Sequence, residues 1–117
     1  MEGIPGPMPL EKLPELAQKS FTAIRSPAGE DMIFKQNAFI KQLMPAGSIR
    51  KLTEEELKVY NKPYEKEEDR MPMLTWPREI PLINDGPENM LKVAENYSNY
   101  LSKSSNLPKL FIKADPG

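Results

Sequence analysis

Neither cysteine nor histidine occurs among the 117 residues. Without cysteine there is no disulfide framework, no thiolate nucleophile and no Cys-based metal site. That absence fits a reducing, cytoplasmic setting. Without histidine the usual general base of ester hydrolysis and acyl transfer is missing. A hydrolase of that kind is therefore not complete within these residues. The apolar share is 38%, where a self-contained domain usually has nearer half. No apolar run approaches the roughly 20 residues that a membrane span needs. Met1 to Leu10 lacks the basic stretch and apolar core of a signal peptide. Neither charge sign dominates: 16 basic and 17 acidic residues are interspersed, for a net charge of −1. This balance offers no nucleic-acid footprint and no polybasic membrane patch. The acidic stretch Glu65 to Asp69, interrupted by Lys66, reads as a solvated loop.

Proline is what the chain has in excess, with 13 residues against a usual share of roughly 5%. It predicts short helices broken by turns. Residues 1–9, with two Gly and three Pro, read as a bent connection. Leu10, Leu13, Leu16, Ala17, Phe21 and Ile24 recur at helical steps and predict a helical pattern over Leu10–Arg25, with Pro14 in its first turns as an alternative start of the regular helix. A second pattern spans Glu30–Met44, with Asn37 as a break and Pro45-Ala46-Gly47 as a stop. Thr53-Glu54-Glu55-Glu56 is a capping box that starts a helix running to about Asn61. Its three glutamates mark a helix start and make no metal site, since nothing converges with them. Residues 62–86 read as loop with single-turn helices near Arg70–Leu74 and Pro77–Glu79, closed by the turn Asn84-Asp85-Gly86. Pro87 then opens an amphipathic helix to about Lys103, with Met90, Leu91, Val93, Ala94, Tyr97, Tyr100 and Leu101 as its buried face.

Leu107 to Ala114 reads as one strand, followed by an Asp115-Pro116-Gly117 turn. Consecutive Leu110, Phe111 and Ile112 suit a strand buried on both faces of a parallel sheet. A lone strand cannot satisfy its own backbone groups. Several helices ahead of one unpaired strand therefore suggest a piece of a larger α/β protein.

Phe21-Thr22-Ala23-Ile24-Arg25, Gln36-Asn37-Ala38-Phe39-Ile40 and Arg50-Lys51-Leu52-Thr53 with Glu55 and Tyr60 resemble, in order and spacing, the lid helices of haloalkane dehalogenases. Trp76-Pro77-Arg78-Glu79-Ile80-Pro81-Leu82, Leu107-Pro108-Lys109-Leu110-Phe111-Ile112 and the terminal Ala-Asp-Pro-Gly look especially like the Renilla-type luciferase branch of that superfamily. The resemblance implies a mainly α piece of an α/β-hydrolase: its helical lid, with one or two residual strands and the core sheet missing. Residues 1–9 would be the end of a core strand and a linker. Residues 10–86 would be the lid, and 87–117 the returning helix and next core strand.

The same resemblance puts Glu2 where these enzymes keep the catalytic acid, which accepts a hydrogen bond from the base histidine and stabilises the imidazolium. Asp115 is its rival, since many α/β-hydrolases carry the acid after the following strand; an Asp-Pro-Gly turn needs no such role. By position, Leu16, Ala17, Ser20, Phe21, Ile24, Phe39, Leu43, Trp76, Pro77 and Ile80 match pocket-lining residues of the lid. Plain helix core explains many of these equally, Leu16 and Ile24 above all. Trp76 is the least ordinary, being the only tryptophan. The implied activity of the full-length parent is carbon–halogen bond hydrolysis on a small apolar substrate, with no cofactor and no metal. Two alternatives stand beside it: a coelenterazine-type monooxygenase on the same fold, and a truncated paralogue without catalysis. The nucleophilic Asp and the base His of the dehalogenase pattern lie outside these residues, so the chain by itself is expected to be inactive.

Overall fold

The computed structural model describes residues 6–110 and 112. Glu2 and Asp115, the two candidate acids, lie outside the described residues.

Proline sets the first boundary. Leu13, the residue ahead of Pro14, is held extended at φ −78° and ψ 155°, because the following ring disfavours helical geometry there. The helix predicted from Leu10 therefore divides into a 3-10 turn, Leu10–Lys12, and α1, Glu15–Arg25. After α1 the chain turns back through Gly29. A Cβ at Gly29 would lie 1.8 Å from the Ile24 carbonyl oxygen, closer than any side chain tolerates.

Two π-helical turns follow, Asp31–Lys35 and Phe39–Leu43, the second running into the short α2, Met44–Ala46. The break between them falls at Asn37, whose φ of 51° is left-handed. Asparagine adopts that conformation more readily than most residues. α3, Glu54–Asn61, begins at the expected capping box: Glu56 N–H donates to the Thr53 hydroxyl, and Thr53 N–H donates to the Glu56 carboxylate at 2.9 Å.

Between α3 and the last helix the chain is more helical than its prolines suggest. Lys62–Tyr64 and Glu67–Arg70 are 3-10 turns, and the second leads directly into α4, Met71–Arg78. Instead of two isolated turns there is one eight-residue helix. Pro72 sits in its first turn, where an N–H has no intrahelical partner anyway. Pro77 falls in its last turn, leaving little helix beyond it to disrupt. α5, Glu88–Lys103, starts immediately after Pro87.

The core joins α1, the two π-helical turns and α4. Ile24, Ile33, Ile40, Met73 and Leu74 are buried together, with Phe34, Phe39, Leu43, Met44 and Tyr64 packed around them. Arg70 is buried beside this cluster. Its guanidinium donates to the carbonyls of Tyr64 (2.8 Å), Glu65 (2.7 Å) and Phe34. The neighbouring acids Glu65, Glu67, Glu68 and Asp69 are exposed, as a solvated stretch should be.

Two expected elements are incomplete among the described residues. Among the described residues there is no strand. The predicted strand over Leu107–Ala114 is irregular at residues 107–110 and 112, and Leu110 and Ile112 are exposed; its remaining positions lie outside the described residues. The physical reason is the one that made it suspect: an isolated strand has nothing to accept or donate its backbone hydrogen bonds. The one extended pairing among the described residues is a parallel bridge between Met8 and Leu82, in which Met8 N–H donates to Pro81 O (3.2 Å) and Ile83 N–H to Met8 O (3.0 Å). The predicted buried face of α5 is only partly covered, with Met90, Leu91, Tyr97 and Leu101 half-buried. Of its residues Ala94 alone is fully buried, while Val93 and Tyr100 are exposed. The segment around Gly6 runs close to this helix, since a Cβ there would meet the Ser98 hydroxyl at 3.1 Å.

Candidate functional site

Leu16, Ala17, Ser20, Phe21 and Ile24 follow one another at one- and three-residue steps along α1. At 3.6 residues per turn that spacing places all five on one side of the helix. The inner edge of this stripe is core, and Ile24 is buried. Its outer edge is open: Leu16 is 53% exposed, while Ala17, Ser20 and Phe21 are half-buried. Ser20 is engaged locally, its hydroxyl donating to the Leu16 carbonyl at 2.8 Å.

α4 supplies the facing residues. Trp76 is 60% exposed and meets Phe21 edge-to-face, with ring centroids 6.3 Å apart and planes at 61°. That geometry sets the positive edge of one ring against the negative face of the other. Pro77 and Ile80 are buried beneath, and Phe39 and Leu43 pack half-buried on the core cluster. Of the ten predicted pocket residues, then, Leu16, Phe21 and Trp76 present apolar surface outward from α1 and α4. Ile24, Pro77 and Ile80 are core, and Phe39 and Leu43 belong with the core cluster.

A separate open groove of about 350 Å³ is lined by Ile40, Lys41, Glu54, Leu57, Lys58 and Asn61, none of them a predicted pocket residue. It lies between the second π-helical turn and α3, away from the aromatic pair. Its opening charges are lysine and glutamate side chains on exposed helix surface, an unpromising place for a desolvated substrate. The described residues contain no group of three or more His, Cys, Asp or Glu side chains able to hold a metal ion. None of the described helices is long and apolar enough to cross a membrane.

Among the described acids, the largest displacement from the usual pKa range belongs to Glu56. A two-point hydrogen bond from the Arg50 guanidinium, at 2.9 and 2.5 Å, holds its carboxyl down to about 2, helped by the Thr53 backbone N–H. The main cause is this Arg50 pair at the start of α3; Glu56 lines neither the groove nor the aromatic face. Asp31 is likewise lowered, first by its hydrogen bond from Lys35. Neither carboxylate has the raised pKa of a general acid.

No family model matches the chain. Individual relatives do. A haloalkane dehalogenase of Mycolicibacterium smegmatis is 41% identical over 118 residues, covering 100% of this chain and 37% of the dehalogenase. The coelenterazine h 2-monooxygenase of Renilla reniformis is 42% identical over 101 residues, covering 86% of this chain and 32% of the monooxygenase. Among solved structures, a haloalkane dehalogenase of Bradyrhizobium elkani superposes with a TM-score of 0.72 at 32% identity, over 81% of this chain and 33% of the dehalogenase. The chain belongs to the haloalkane dehalogenase and Renilla-type luciferase superfamily of α/β-hydrolases. It spans about a third of the length of the relatives it matches. This dehalogenase-like chain is mainly α, and the sheet of an α/β-hydrolase is not among its described residues.

Two residues that tie α1 to the turn after α4 escaped the sequence reading. Arg25 and Asp85 join the end of α1 to the turn after α4, with Nε and Oδ2 2.5 Å apart. Arg25 sat within a motif that resembles the lid, and Asp85 within a recognised turn. Their pairing across 60 residues has no local sequence signal.

Proposed function

We propose that this chain is the lid of a dehalogenase-like α/β-hydrolase, and that its α1–α4 face forms one wall of a pocket for a small halogenated substrate. Residues 10–86 would make up the lid, and 87–117 the helix and strand that lead back into the core. The observation that carries this reading is the pairing of Phe21 with Trp76 at an outward apolar face, in a chain whose relatives are about three times as long. A face of that kind suits an uncharged substrate, because an apolar wall excludes water from the reacting carbon. Glu2 would serve as the acid that orients the base histidine, with Asp115 as a turn residue. The nucleophilic carboxylate and the histidine would come from the core of the full-length protein. The absence of cysteine agrees with a cytoplasmic setting.

The test is a transplant. This chain replaces the 118 aligned residues of the Mycolicibacterium smegmatis dehalogenase, and halide release from a bromoalkane is followed. The chimaera should turn over. Glu2→Gln should lose most of that turnover, and Asp115→Asn should keep it. A folded chimaera with no halide release would refute the reading, whereas Asp115→Asn inactivation would exchange the two acids. The 117 residues by themselves should release no halide, having no histidine to activate water.

The similarity to the Renilla reniformis monooxygenase favours a second reading, oxidation of coelenterazine by the full-length parent. Fold likeness cannot choose between the two chemistries. The same transplant into the monooxygenase, assayed for light, decides it: emission there with no halide release in the dehalogenase chimaera would favour the luciferase.

A further inference from the structure

Helix α4 ends with carbonyls that no residue of its own can satisfy. Thr75 and Trp76 share the Glu79 N–H, at 3.0 and 3.2 Å. The next two carbonyls, those of Pro77 and Arg78, are both taken by a single guanidinium nitrogen of α1: Arg25 Nη1 donates to them at 2.8 and 2.9 Å. Arg25 is spent entirely on this junction. Its Nε donates to the Asp85 carboxylate and its Nη2 to the Asp85 carbonyl, and its side chain is 9% exposed. The positive charge also sits at the negative end of the α4 dipole. Arg78 returns the contact across the junction, reaching the Ser26 carbonyl (3.5 Å) just past α1 and the Glu30 carboxylate (3.6 Å).

The position of this clip matters as much as its strength. Arg25 is four residues after Phe21, so the two stand one above the other on the same side of α1. The carbonyls that Arg25 grips belong to the two residues that follow Trp76. Each ring of the aromatic pair is thus within about one helical turn of the same guanidinium. The pair lies on an open face, with Trp76 60% exposed and little packing around it to define its geometry.

We infer that Arg25 is a positioning residue: by capping α4 and holding the 82–86 turn, it sets the Phe21–Trp76 geometry and so the selectivity of the apolar wall. The selectivity half of this inference rests on the pocket reading above; the positioning half does not. Lysine at position 25 keeps the charge but lacks the planar fork that reaches Asp85 and two carbonyls at once. Asparagine at position 85 keeps a hydrogen-bond acceptor and removes the charge.

Trp76 is the only tryptophan, so its fluorescence reports this geometry in the 117-residue chain directly. Arg25→Lys should raise acrylamide quenching of Trp76 by about half, through loss of the ring contact, with the far-UV helix signal unchanged. Phe21→Leu should raise it equally, and combining the two should add nothing. Asp85→Asn should give a smaller rise in the same direction. In the active chimaera, Arg25→Lys should raise KM for a bulky bromoalkane about three- to tenfold while kcat stays within about twofold. Arg25→Lys with wild-type quenching, while Phe21→Leu raises it, would overturn the positioning role. So would wild-type quenching equal to that of the urea-unfolded chain. An equal change in KM for small and bulky substrates would overturn the selectivity role while leaving the clip in place. An inactive chimaera would count against the pocket reading and the selectivity it implies, and the quenching series would still decide whether the clip orients the rings.

Discussion

Between Glu15 and Arg78, isoleucine, methionine and leucine side chains from α1, the π-helical turns and α4 close over one another. Along α5 the apolar stripe is covered only in part: Ala94 is buried and Met90, Leu91, Tyr97 and Leu101 are half-buried, while Val93 and Tyr100 are 54% and 65% exposed. Both regions carry good helical periodicity, so periodicity does not distinguish them. What distinguishes them is whether the chain itself supplies the opposing surface. The first region has four elements meeting around Ile33. The second has mainly the segment near Gly6 alongside Ser98. A partly open apolar side is what the proposed lid reading expects of a helix that would return to a hydrolase core.

The contrast can be broken most severely at Gly29. Alanine there would place its Cβ within 1.8 Å of the Ile24 carbonyl oxygen and 2.6 Å of its carbonyl carbon, both backbone atoms. α1 must then move off the core. We expect Gly29→Ala to abolish the cooperative part of thermal unfolding followed by circular dichroism; a melting profile like the wild type would show that the turn tolerates a side chain.

The next effect compares the two regions directly. Ile33→Ala, at a fully buried site, should cost about 2–5 kcal/mol. Val93→Ser, on the exposed side of α5, should stay within about 0.5 kcal/mol in the chain by itself. In the dehalogenase chimaera the same Val93→Ser should become destabilising, because the core would cover that surface. Urea titrations of both forms measure it, and equal effects of Val93→Ser in the two contexts would remove the basis for an uncovered helix.

The smallest effect is local and depends on pH. The carboxyl of Glu56 is held down to about 2 in the folded chain, below its ordinary value of 4.5. A depressed carboxyl stabilises the fold above its unfolded pKa, and that contribution disappears as pH falls through the folded value. The start of α3 should therefore weaken between about pH 4.5 and 2. Arg50→Gln should move the loss of order to higher pH, as read from the amide resonances of Glu54 to Leu57. Thr53→Ala should cost about 1 kcal/mol of the same cap. Order at these amides that does not change with pH in the wild type would place the cap's stability elsewhere.

Local signals in the sequence were decisive where the deciding physics is local. The capping box put the start of α3 at Glu54, Pro14 divided the first helix and Pro87 began the last. Asn37 broke the second pattern because a left-handed residue interrupts a helix wherever it stands. The same reasoning underestimated α4, since two prolines suggested separate turns. Pro72 and Pro77 happen to occupy the first and last turns, where a missing N–H or an interrupted helix costs least. The strand over Leu107–Ala114 and the buried face of α5 were legible as patterns, but among the described residues the first is unpaired and the second only partly covered.

What the sequence by itself determined is therefore a set of helix boundaries, an apolar stripe on each main helix, the lack of a histidine base and membership of the dehalogenase-like superfamily. Only the tertiary structure decided which stripes are core and which face outward: that Ile24, Pro77 and Ile80 are sealed in, that Phe21 meets Trp76 at the surface, and that Arg25 pairs with Asp85 across 60 residues. Periodicity records that one side of a helix is apolar. The identity of the surface that covers it depends on contacts between residues far apart in the chain, and those are made only when the chain folds.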